Sequence, residues 1–87
     1  MNYEKAIHAI IDPLVEEPDL IFIKTNESDD GKELSVIIAT AKDDVARLIG
    51  RHGNIANAIR EVISVAGKVE NKRVHIKFES FVEEKED

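Results

Sequence analysis

The chain contains no cysteine among its 87 residues, which excludes disulfides and thiolate metal ligands. Small secreted domains depend on such staples, so their absence fits a reducing compartment, and the expected location is cytoplasmic. The start, Met1-Asn2-Tyr3-Glu4-Lys5, lacks the basic opening and long apolar run of a signal peptide. No segment approaches the roughly 20 apolar residues of a membrane-spanning helix. Internal repeats and low-complexity tracts are also missing, so residues 1–80 read as a single domain. At this size, folding hides only about 60 to 65 per cent of the surface that the unfolded chain exposes, and the core must be economical. Residues 81–87 follow as an acidic tail, expected to fray because acids crowd this end against Lys85 alone.

Positive charge is in short supply. Eighteen Asp and Glu against twelve Lys and Arg leave a formal net charge of -6, a poor endowment for coating nucleic acid indiscriminately. Yet residues 45–60 hold Arg47, Arg51 and Arg60 and not one Asp or Glu. Any contact with a polyanion is therefore local and salt-sensitive.

That acid-free stretch surrounds Ile49-Gly50-Arg51-His52-Gly53-Asn54. Glycine at both ends permits left-handed or crowded backbone and removes side chains that would hold a ligand away. Arg51 and His52 project from the tip. A helix beginning after Gly53 points its unbonded amides and the positive end of its dipole at the turn, which suits an anion such as phosphate.

Periodicity supplies the frame. Tyr3, Ile7, Ile10, Ile11, Leu14 and Val15 recur at helical spacing, so residues 2–16 read as an amphipathic helix that Pro13 kinks or ends early, with Pro18 marking the exit. Residues 20–25 and 34–41 are apolar and β-branched around a polar Asp-Asp-Gly turn, which reads as a hairpin. Thr40 to Asp43 has the form of a capping box opening a short helix with Val45, Leu48 and Ile49 inward, ended by Gly50. A second helix carries Ile55, Ile59, Val62, Ile63 and Ala66 inward and is expected to stop at Gly67. Residues 73–78 alternate Val74, Ile76 and Phe78 with His75 and Lys77, as a half-buried strand does. Two intervening helices let this last strand lie parallel to the second through a right-handed crossover. The expected fold is a two-layer α+β sandwich, order α-β-β-α-α-β, with a three-stranded mixed sheet whose open face leaves Phe22 and Ile37 partly exposed.

The run Val45-Ala46-Arg47-Leu48-Ile49-Gly50-Arg51-His52-Gly53-Asn54-Ile55-Ala56-Asn57-Ala58-Ile59-Arg60 resembles the core of a KH domain, and the element order resembles its bacterial type II form. The similarity spans nearly the whole chain, including Asp12-Pro13-Leu14 and Pro18-Asp19, and the chain looks like the small stand-alone bacterial KH proteins of the KhpA type. Ala56 departs from the branched aliphatic residue common in KH domains generally, but Ala56-Asn57-Ala58-Ile59-Arg60 is similar to the stand-alone proteins. His52 stands where many KH proteins carry Lys or Arg, and it adds charge only when protonated. The resemblance implies single-stranded RNA binding, with Gly50, Arg51, His52 and Gly53 gripping about four nucleotides of backbone beside an apolar groove. Helical placement adds Asn54, Arg47 and Arg60 as polar flanks. Val45, Ile49, Ile55 and Ile38 are candidates for the groove, for the core behind it, or for a partner surface. The resemblance also implies self-association, or pairing with a second KH-containing protein.

Other chemistries find little support. The glycine turn lacks the G-K-[ST] of a nucleotide-binding P-loop. No triad or acid pair is recognisable, so no catalytic residue, cofactor or small-molecule substrate is expected. His8 and Asp12 have the i, i+4 spacing of a metal pair, but without further local ligands they read as helix-surface residues. A helix-turn-helix reading fails because the second helix commits its long stripe to the core instead of to base edges.

Overall fold

A computed structural model describes residues 2–81 of the chain. Apart from Phe81, the acidic tail at 81–87 lies outside the described residues. Helix α1, Tyr3–Ile11, is capped by Asn2, whose side-chain oxygen accepts from the Lys5 amide at 3.0 Å. It buries Tyr3, Ile7 and Ile11, one face at i, i+4, i+8. Pro13 ends it as expected, in a 3-10 turn over Asp12–Leu14. A second such turn, Pro18–Leu20, takes Leu20 out of the anticipated first strand, because its amide bonds back to Glu17 O at 2.9 Å.

Strand β1, Phe22–Glu27, pairs antiparallel with β2, Glu33–Thr40, and β2 pairs parallel with β3, Arg73–Ser80. The sheet order β1-β2-β3 is the expected mixed sheet and leaves β3 as an edge. Between β2 and β3 run α2, Lys42–Ile49, and α3, Asn54–Val69. Register sets the two faces. Ile23, Ile38 and Phe78 form one row toward the helices, while Lys24, Ile37 and Lys77 form the next row on the open side. Phe22 is 57% exposed there, and Ile37 is partly exposed, as the alternation predicts. The core gathers Ile7, Ile11, Ile38, Leu48 and Ile63, each fully buried. Each such side chain contributes about 1.5–3 kcal/mol over its exposed state. Tyr3 ties α1 to the far end of α3 by donating its hydroxyl to Glu70 at 2.6 Å. Burial, and then that carboxylate, push the phenol up to about 12.

Three local expectations are corrected. Thr40 does not cap α2, because it completes β2 and turns its hydroxyl to the carbonyl of Ala41, which is itself the N-cap. Gly67 does not stop α3; the helix runs on to Val69. Gly67 sits where α3 crosses β3, and a Cβ there would stand 2.7 Å from Val74 Cγ2 and 2.8 Å from Lys72 O. The left-handed residue beyond the helix is Asn71, with φ 59°. Val62 is not core but 57% exposed, because it lies about 60° around the helix from Ile59 and about 100° from Ile63, outside the sheet-facing arc those two occupy.

Candidate nucleic-acid interface

Helix α2 ends at Gly50, whose amide donates to Ala46 O at 3.0 Å and whose φ of 74° breaks the helix. Arg51, His52 and Gly53 form a single 3-10 turn before α3 begins at Asn54. Gly50 is required twice over: its dihedral favours glycine, and a Cβ would stand 2.7 Å from Ile55 Cγ1. Gly53 has φ 77°. Between them His52 holds φ 58°, ψ 24°, a left-handed conformation that costs a non-glycine residue about 1–2 kcal/mol. This strained turn projects two exposed side chains, Arg51 and His52. The first turn of α3 carries no side-chain cap; the Asn54 amide donates to Arg51 O and the Gly53 amide to Gly50 O, within the turn itself, and the positive end of the helix dipole faces the loop.

The flanking cations behave differently. Arg47 lies against the buried carboxylate of Asp44 at 2.6 Å and against Glu16 at 3.5 Å. Asp44 in turn accepts the main-chain amides of Glu16 at 3.0 Å and Glu17 at 3.1 Å. The Glu16 amide, followed by the Glu17 amide and Arg47, holds this carboxyl below the usual carboxylate range. Asp44 thereby pins the connection between α1 and β1 onto α2. The network escapes sequence inspection because the donors to Asp44 are main-chain amides 27 and 28 residues away.

Arg60 is committed elsewhere. Its Nε donates to the carbonyl of Ile76 at 3.2 Å, its guanidinium lies 5.4 Å from the centre of the Phe78 ring, and Nη1 reaches Asn57 Oδ1 at 3.3 Å. It therefore sits on the free edge of β3, blunting it. Val45 and Ile49, four apart on α2, share a face. Ile49 is 38% exposed and Val45 half-buried. Ile55 is half-buried, packed on the core and against Gly50. Ile38 is fully buried beneath the helices and cannot line an open groove or a partner surface. His8 and Asp12 pair with each other at 2.9 Å. Among the described residues, no three His, Cys, Asp or Glu side chains converge as a metal site, and no helix is long and apolar enough to cross a membrane.

Known proteins resemble this chain in sequence. The family model "KhpA/KhpB, KH domain" matches residues 4–78. RNA-binding protein KhpA of Bacillus subtilis (strain 168) is 35% identical over 80 residues, covering 92% of this chain and 94% of that protein. RNA-binding protein KhpA of Listeria monocytogenes EGD-e is 33% identical over 73 residues, 84% of this chain and 93% of its own. The Clostridium acetobutylicum protein of the same name is 34% identical over 71 residues, 82% and 92% respectively. No solved structure matches. With the fold, the glycine-bracketed turn between α2 and α3, and a family match over most of its length in agreement, the chain belongs to the KhpA/KhpB KH-domain family, which is not a family of enzymes.

Proposed function

We propose that this protein binds single-stranded RNA, gripping the backbone with Gly50, Arg51, His52 and Gly53 and laying bases against the partly exposed apolar face of Val45 and Ile49, with Ile55 behind the turn. The observation that carries this reading is the left-handed backbone of His52 between two positive-φ glycines, strain that brings Arg51 and His52 to the head of α3. Phosphate there meets two side-chain donors and the positive end of a helix. Asn54, in the first turn, adds a polar side chain. Arg60 offers the outer edge of a guanidinium already fixed by Ile76 and Phe78. Arg47, its charge offset by Asp44 and Glu16, positions α2 instead of meeting the strand as a free cation.

Arg51→Asp combined with His52→Asp is expected to weaken binding of short single-stranded RNA by about ten- to a hundredfold at low salt, since donors become like charges facing phosphate. Circular dichroism should remain unchanged, because both side chains are exposed. An unaltered affinity in the folded variant rejects the assignment.

A second reading, pairing with another copy or with another KH-containing protein, is favoured by one surface. Val62, Val65 and Val69 on α3 are 57%, 60% and 82% exposed at i, i+3, i+7. This stripe replaces Ile55 as the partner surface, since Ile55 is engaged with Gly50 and the core. Val62→Asp with Val65→Asp is expected to convert a dimer to a monomer in sedimentation while leaving the melting temperature of the monomer unchanged. A wild type that sediments as a monomer throughout removes this reading.

A further inference from the structure

We propose that the RNA site extends beyond the loop along the β3 side of α3 and ends at a second phosphate contact formed by Lys68 and Arg73. The inference rests on the RNA-binding reading above and concerns how far the bound strand reaches.

Asn54, Asn57, Ser64 and Lys68 fall at i, i+3, i+10 and i+14 of α3, one polar stripe distinct from the valine stripe. They line two open grooves that meet at Ser64. One holds Asn54, Asn57 and Arg60, and the other holds Lys68, Lys72 and Arg73. A third depression continues to Lys32 at the hairpin. The track meets β3 at Arg73 and Val74, and Arg60, which lines its other end, holds the Ile76 carbonyl of that strand.

Charge along the track is positive against the acidic whole. Arg60, Lys68, Lys72, Arg73 and Lys32 line it, opposed by Glu61, Asp30 and Glu33. Lys72 is spent on Glu27 and on Gly31 O. Among the described residues Arg73 makes only an open 3.8 Å pair with Glu33, and its side chain is 75% exposed. Among the described residues, Lys68 and Lys32 have no ion pair. A lysine in a last helical turn can satisfy terminal carbonyls. Here main-chain amides do so: Glu70 and Lys72 donate to Gly67 O, and Asn71 donates to Lys68 O. The Lys68 ammonium is therefore left for a ligand.

From Asn54 to Lys68 the helix rises about 21 Å, which a fully stacked strand spans in roughly six nucleotides at about 3.4 Å each and an unstacked strand in fewer. A strand held at the loop thus needs at most about ten nucleotides to reach the second contact, whereas a tetramer cannot.

The test is fluorescence-anisotropy titration of oligouridine of 4 and 12 nucleotides against wild type and Lys68→Ala/Arg73→Ala. The variant is expected to bind the 12-mer about tenfold more weakly with the 4-mer unchanged, and its salt slope on the 12-mer should fall by about 0.7 for the one lost phosphate contact. Equal 12-mer affinity for variant and wild type overturns the extended track and makes both residues ordinary solvated charges. Equal weakening on both lengths also overturns it, as an effect of net charge. Failure of the clamp reading looks different, because Arg51→Asp/His52→Asp would then leave 4-mer binding intact.

Discussion

Gly67→Val is expected to destabilise the domain by about 3 kcal/mol or more, which lowers the melting temperature of a domain this small by roughly 12–24 °C. Gly67 lies inside α3, where glycine is ordinarily the poorest choice short of proline, and alanine would recover about 1 kcal/mol of helix propensity. The contact with β3 reverses that expectation. Any Cβ would meet Val74 Cγ2 at 2.7 Å and the main-chain oxygen of Lys72 at 2.8 Å. The side chain could turn aside, but the carbonyl belongs to the connection into β3 and cannot move without shifting the strand. Its neighbours in that turn are fixed, since the Lys72 amide is bonded back to Gly67 O at 2.8 Å. Gly67→Ala should therefore also lower the melting temperature, though less than valine. Thermal melts of both variants decide the point. A more stable Gly67→Ala protein would show that α3 and β3 are not in such close contact.

The second large effect is expected at Asp44. Asp44→Ala leaves the Glu16 and Glu17 amides without their acceptor and the Arg47 guanidinium without its nearest carboxylate. Breaking a buried network of this kind lowers the melting temperature of a small domain by on the order of 10 °C. Asp44→Asn keeps an acceptor oxygen and should recover part of the loss. The effect depends on pH in a defined sense. The folded protein holds this carboxyl below the usual carboxylate range, so its charged form stabilises the fold fully above that range. The contribution is lost as pH falls through the depressed folded pKa. The gap in melting temperature between wild type and Asp44→Asn should be widest near neutral pH and close as pH drops below the ordinary carboxylate range. A gap constant down to the lowest pH at which both fold would rule out the charged network as its source.

Much of the fold was legible because its signals are local. Tyr3, Ile7 and Ile11 announce α1 by spacing, and Pro13 ends it through chemistry that no packing can override. Val74, Ile76 and Phe78 alternate as a strand with one covered face. The misreadings came where tertiary contact competed with a local rule. Thr40 has the residue type of a cap but serves as the last residue of a strand. Gly67 has the residue type of a helix terminator but serves as a gap for a crossing strand. The same division runs through the site. The loop Gly50 to Gly53 could be found from its glycines and the acid-free stretch around it. The commitments of Arg47 and Arg60 could not, because their partners Asp44, Glu16 and the Ile76 carbonyl come from different elements.

Sequence alone determined the element order, the mixed sheet, the glycine turn and its charge, since periodicity, proline geometry and glycine freedom act over a few neighbouring residues. Tertiary structure alone decided which cations remain available to an anion, which of Val45, Ile49, Ile55 and Ile38 reach the surface, and that an exposed valine stripe and a polar track share α3. Burial and pairing depend on residues far apart in the chain, and only the packed fold brings them together.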